Sequence, residues 1–123
     1  MNVKTSFLKN KIHENSPNKN IVPVTTTINS DNKLFIGGCS IEDLVRKYDS
    51  PLYILDEMTL RNSCRAYKKA LEKYYPGESL PIYASKANSS IFMSNLIASE
   101  GFGLDAVSEG ELLTALIGGV PNE

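Results

Sequence analysis

From Pro51 to Pro121 the chain repeats one pattern: a short apolar run, a polar turn, then a helix with its apolar side chains on one face. This repetition is the tightest constraint on the fold. Strand–helix units joined by short loops place their strands parallel and cross over with a right-handed turn. Leu52-Tyr53-Ile54-Leu55 reads as a strand covered on both faces, with Asp56 placed to cap the helix that follows. In that helix Leu60, Cys64, Tyr67, Leu71 and Tyr74 fall on one face, and Pro76-Gly77 stops it. The second unit runs as a strand over Pro81–Lys86, a loop over Ala87–Ser89 and a helix over Ser90–Glu100, with Ile91, Met93, Leu96 and Ile97 on its buried side. In the third, Leu104–Val107 is the strand, and Ser108 with Glu111 forms a capping box. Its helix carries Leu112, Leu113, Leu116 and Ile117 and ends at Gly118-Gly119, with Pro121 beyond.

The fold class is therefore α/β, either an open doubly wound sheet or a closed (β/α)8 barrel. A barrel needs roughly 250 residues, and three parallel strands leave edges and helix faces uncovered. Residues 51–123 are expected to be a truncated part of such a domain, and the chain a fragment. Upstream, residues 1–20 are rich in Lys, Asn and Ser without apolar period and read as a disordered leader. Residues 21–50 form a separate region. Val22, Val24, Thr26 and Ile28 alternate as a strand, Asn29–Asn32 turns the chain, and Lys33–Ile36 resumes it. Gly37-Gly38 interrupts, and Ser40 with Asp43 marks the start of a short helix over Ile41–Tyr48.

Composition narrows the function classes. A formal net charge of -1 over 123 residues gives no electrostatic reason to expect nucleic acid or an anionic membrane as partner. No apolar run reaches membrane-spanning length. Cys39 and Cys64 make neither a disulfide framework nor a metal cluster, and read as reduced thiols of a cytoplasmic protein. The lone His13 lies in the polar leader, so no metal site is expected.

Functional groups in parallel α/β folds gather at the carboxyl ends of strands. Lys86 holds that position in the second strand, and alternation puts it on one face with Ile82 and Ala84. A lysine in a walled site has its amine shifted towards the neutral form by desolvation, and a neutral amine condenses with an aldehyde. Small Ala84 leaves room beneath it for a planar ring. The bland alternative is a solvated strand end. Asp105, inside the neighbouring strand, needs a partner if buried, and Lys86 is the obvious one. Ser108 and Glu111 are most simply a helix cap. Gly101-Phe102-Gly103 precedes a strand, the wrong context for a dinucleotide fingerprint.

The run Tyr83-Ala84-Ser85-Lys86-Ala87-Asn88 resembles the Tyr-Ala-x-Lys-Ala-Asn segment of the alanine-racemase-like, fold-type III pyridoxal phosphate enzymes. Gly103–Leu112 is similar to the Gly-x-Asp-Val-Val-Ser-x-Gly-Glu-Leu run of the diaminopimelate decarboxylase branch, as are Ile36–Leu44 and Pro51–Glu57. The likeness runs from about Val24 to the last residue. Ser85 departs from it, standing where an apolar residue is common. The resemblance implies a pyridoxal-phosphate-binding (β/α)8 barrel whose first three βα units lie here, and an N-terminal β segment that belongs with a later β domain. It implies Lys86 as the Schiff-base lysine, with Ala84 and Asp105 beside the cofactor and Glu111 further out. It also implies a homodimer and an amino-acid substrate, meso-2,6-diaminopimelate, decarboxylated to L-lysine. The glycine-rich phosphate cradle, the acidic partner of the pyridine nitrogen and the ring-stacking histidine are not recognisable in this chain, and the fragment alone is expected to be inactive. Rival readings are an ornithine/arginine-type or carboxynorspermidine decarboxylase, an amino-acid racemase, a non-catalytic cofactor-binding barrel, and an α/β interaction module with Lys86 on its surface.

Overall fold

The computed structural model describes residues 17–122. The expected leader therefore lies outside the described residues up to position 16, and the chain from Pro17 to Ile21 is turn. The described residues fall into two compact units, one ending at Leu60 and the other beginning at Arg61.

The first unit is built on three short antiparallel strands in the order β1-β2-β3: β1 (Thr27–Ile28), β2 (Leu34–Ile36) and β3 (Cys39–Ser40). Thr27 lies opposite Phe35, and Ile36 opposite Cys39. Asn29 makes the first turn, its Oδ1 accepting the backbone N–H groups of Asp31 at 3.0 Å and Lys33 at 2.9 Å. Gly37 and Gly38 make the second, with φ of +58° and +79°. A two-residue hairpin loop of this hand needs positive φ at both positions, which glycine adopts without strain. Ser40 then accepts the Asp43 N–H at 3.3 Å and caps α1 (Ile41–Tyr48), the helix expected there.

The strand expected from Val22 shrinks to Thr27–Ile28 because the preceding residues bond elsewhere. The Val24 N–H donates to Thr59 Oγ1 at 2.9 Å, and the Thr25 hydroxyl donates to Asp56 Oδ1 at 2.7 Å. Thr25 Oγ1 also accepts the Gly37 N–H at 2.8 Å. Asp56 is buried and caps α2 (Glu57–Tyr74), its Oδ2 accepting the Thr59 N–H at 3.0 Å as well as the Thr59 hydroxyl. Burial alone pushes the Asp56 carboxyl up, but the hydrogen bonds from Thr59 and Thr25 outweigh it and hold the group below the usual carboxylate range. One carboxylate thus joins the N-terminal segment, the glycine turn and the start of a helix.

Residues 52–55 carry no strand ladder, contrary to the first of the three expected strands. Their alternation survives: Leu52 and Ile54 are half-buried, while Leu55 is exposed and Tyr53 is 98 % exposed. The sequence specifies extended chain, but a ladder also needs a partner edge, and none pairs here among the described residues.

The second unit holds the parallel pair. β4 (Ile82–Ala84) and β5 (Gly103–Asp105) run side by side with Ile82, Tyr83 and Ala84 opposite Gly103, Leu104 and Asp105. The crossover between them is α3 (Ile91–Ser99), which packs against β5 and against α4 (Glu109–Ile117). Cys64, Met93, Leu96, Ile97 and Ala115 form the core. Of the face expected on α2, Cys64 is buried while Tyr67 and Tyr74 are exposed; Arg61 and Lys68 are partly covered on that side.

Met93, Leu96 and Ile97 of α3 are buried as expected, whereas Ile91 and the apolar stripe of α4 are exposed. A Cβ on Gly118 would lie 2.6 Å from Ser94 Cβ, so only glycine lets the end of α4 come this close to α3. Ser94 is buried at this approach. On α4 Ala115 is buried, and Leu112, Leu113, Leu116 and Ile117 are exposed.

Asp56→Ala is expected to destabilise the full-length protein by about 2 kcal/mol, since it removes the cap of α2 and leaves the Thr25 hydroxyl without its acceptor. Asp56→Asn, which keeps one acceptor oxygen, is expected to lose about half as much. Urea titrations of the three proteins measure both.

Candidate functional site

The site is assembled at the carboxyl end of the parallel pair. Register partners in a ladder share a face, so Ala84 and Asp105 stand on the same side of the sheet, as do Ile82 and Gly103. A Cβ on Gly103 would meet Ile82 Cγ1 at 3.4 Å, which fixes that side independently. Ile82 and Asp105 are exposed there, whereas Tyr83 and Leu104 on the other side are half-buried. Small Ala84 and bare Gly103 make this open face flat.

Lys86 does not continue the strand. β4 ends at Ala84, and Ser85–Ala87 wind into a single 3₁₀ turn closed by the Asn88 N–H on the Ser85 carbonyl at 3.0 Å. The alternation that was to aim Lys86 beside Ala84 therefore stops two residues short, and the turn sets its direction. The lysine is exposed, with no hydrogen bond or ion pair among the described residues. It is not walled in by the described residues.

Asp105, the last residue of β5, is also exposed and makes no bond to Lys86. Among the described residues nothing buries its carboxylate. Glu111 serves the cap: its Oε2 accepts the Val107 N–H at 2.7 Å, and its own N–H donates to Ser108 Oγ at 3.2 Å. The structure thus brings Ala84 and Asp105 together by register, places Lys86 on the turn that follows, and sets Glu111 in the first turn of α4.

Two features were not expected. Ser85, 2 % exposed, carries a buried Oγ without a hydrogen-bond partner among the described residues. It is the residue at which the motif departs from its usual apolar choice, and a buried unpaired hydroxyl is unfavourable. The second is an ionic clamp between α2 and the end of α3. Glu100, at the end of α3, has a side chain covered to all but 9 %. Its carboxylate accepts from Arg61 at 2.7 Å and from Arg65 at 2.9 and 3.0 Å, while the Lys68 ammonium donates to the Glu100 carbonyl at 3.1 Å. Arg65 and Arg61 hold the Glu100 carboxyl below the usual carboxylate range. The clamp fixes the point where α3 gives way, through Gly101 at φ +73°, to β5 and Asp105. Cations here also oppose the negative end of the α3 dipole. Nothing local in the sequence pairs residues this far apart.

An unpaired amine after a parallel strand, a flat floor of Ala84 and Gly103, and a carboxylate ending the adjacent strand suit an aldehyde cofactor with a planar ring. Residues 57–123 match the pyridoxal-dependent decarboxylase family, in its pyridoxal binding domain, and the chain belongs to that family, whose cofactor is pyridoxal phosphate. Among its relatives, a diaminopimelate decarboxylase of Synechocystis sp. is 50 % identical over 101 residues, covering 82 % of this chain and 22 % of the relative. One from Bacillus subtilis is 40 % identical over 100 residues, covering 80 % of this chain and 22 % of its own length. The crystal structure of the diaminopimelate decarboxylase from M. jannaschii superposes with a TM-score of 0.70 at 33 % identity, over 79 % of this chain and 23 % of that one. A second structure of that protein, in complex with L-lysine, gives a TM-score of 0.66 at 32 % identity, over 81 % of this chain and 24 % of that one. The chain spans about 22 % of the length of the curated relatives it matches.

Ser85→Ala is expected to raise stability by about 1 kcal/mol, because it removes the unpaired hydroxyl without adding volume; thermal melts of the full-length protein measure it. Glu100→Gln is expected to cost about 1–2 kcal/mol at neutral pH. With a depressed folded-state value, the contribution of Glu100 is complete above the ordinary glutamate range and disappears as the pH falls through the lower folded value. Melts from pH 7 to pH 3 should therefore bring variant and parent together at the acid end.

Proposed function

We propose that the full-length protein carrying this chain is a diaminopimelate decarboxylase that converts meso-2,6-diaminopimelate to L-lysine and carbon dioxide in the cytoplasm. The observation that carries the reading is the 50 % identity to the Synechocystis sp. enzyme across a segment that includes the lysine-bearing turn. The M. jannaschii protein seen with L-lysine supports an amino acid as ligand. No helix among the described residues is long and apolar enough to cross a membrane.

In this reading Leu52–Leu55, β4 and β5 with their helices are the first three units of a (β/α)8 barrel, and the β1-β2-β3 region belongs with a later β domain. The open face of Ile82, Ala84, Gly103 and Asp105 then lines the barrel interior. Further barrel units wall in Lys86, and a homodimer completes the site.

When bound, pyridoxal phosphate supplies an electron sink for the carbon–carbon bond that breaks. Lys86 holds it, since its amine reaches out from a fixed turn and has no competing partner here. Ala84 and Gly103 leave the space a flat ring occupies. Asp105 brings a carboxylate to the same face. Glu111 acts at one remove, through the cap that fixes the loop between β5 and α4.

Purified full-length protein with pyridoxal phosphate is expected to release lysine from diaminopimelate, and Lys86→Ala to lower kcat by about a thousandfold or more. Borohydride reduction and peptide mapping should find the cofactor mass on Lys86. Its appearance on another lysine, or the absence of lysine release, sinks the reading.

A further inference from the structure

We infer that Asn88, with Tyr83, is the positioning pair that holds the backbone of Lys86 in place for attachment of the cofactor. The inference rests on the reading of Lys86 given above and adds the device that aims it.

Between the end of β4 at Ala84 and the start of α3 at Ile91 the chain must present one lysine and enter a helix. Lys86 contributes no bond of its own to this task. Asn88 supplies three polar groups to it. Its backbone N–H donates to the Ser85 carbonyl at 3.0 Å and closes the turn around Lys86. Its side-chain Oδ1 accepts the Ser90 N–H at 3.0 Å, an Asx turn that leads into the cap of α3. Its carbonyl accepts the Tyr83 hydroxyl at 3.4 Å, a long bond that ties the strand before Lys86 to the loop after it. Ser90 Oγ then accepts the Met93 N–H at 3.3 Å. An unbroken series of bonds thus runs from Tyr83 to Met93 and passes around Lys86 without involving its amine.

The consequence is chemical. A flexible four-carbon side chain finds a carbonyl carbon quickly only when its Cα is already in range, because near-attack geometry is lost with small displacements. Asn88 leaves the amine itself free to react. Asparagine suits the position because its side chain accepts from a nearby backbone N–H. Aspartate is the isosteric alternative, and its charge is favourable near the positive end of α3. Alanine offers no acceptor.

The test uses full-length apoprotein and pyridoxal phosphate. Amine and aldehyde join as an imine with loss of one water, and the absorbance of the lysine-bound cofactor reports the rate. Asn88→Ala is expected to slow attachment about tenfold, Asn88→Asp to restore it to within about twofold, and Tyr83→Phe to slow it about threefold. Ser40→Ala, which weakens the cap of α1, provides a control whose melting temperature falls without a change in rate. Parent-like attachment in Asn88→Ala, failure of Asn88→Asp to restore the rate, or equal slowing in Ser40→Ala overturns the proposal. Peptide mapping of the reduced parent separates the two claims. Cofactor on Lys86 with unchanged rates refutes the positioning role alone, whereas cofactor elsewhere removes the reading on which it rests.

Discussion

Two strands can lie parallel only if the chain returns over the sheet between them, and the pairing of Ile82–Ala84 with Gly103–Asp105 imposes that on everything nearby. The return is α3, and its two ends are secured differently. At the start, Asn88 and Ser90 satisfy backbone N–H groups through local side chains. At the far end, Glu100 is held by two arginines from α2, and its carbonyl by Lys68. The register that sets Ala84 opposite Asp105 depends on both ends, because a helix that slid would carry β5 with it.

The caps and turns were legible in the sequence because they are short-range. Ser40, Asp56 and Ser108 sit where their side chains meet an N–H three residues on, and all three do so. The α/β class followed from the same local rhythm. What could not be read locally was which apolar face finds a neighbour. Leu112, Leu113, Leu116 and Ile117 carry a proper helical stripe, yet Ala115 is buried, because Gly118 draws the other side of α4 against Ser94. Residues 52–55 show the same limit: alternation is local, whereas a ladder is not.

At the site, Lys86 was singled out from its position at a strand end and from its motif. The residues around it were read less well. Alternation was extended through Lys86, but the backbone had already left the strand, since Asn88 draws the chain into a tight turn. Asp105 looked like a buried partner and is exposed. Glu100 escaped notice because its partners lie more than thirty residues away in sequence. Tyr83 and Asn88 were visible as letters of the motif, while their bond to each other emerged only with the fold.

The bonds around Lys86 join residues no more than five apart in the chain. Contacts of such short range form on the timescale of local loop closure, long before pairings across twenty residues can accumulate. The lysine-bearing turn therefore depends on contacts that a chain can close without any long-range pairing. The position of the Lys86 amine is thus set by local contacts and does not wait for β5 to pair with β4.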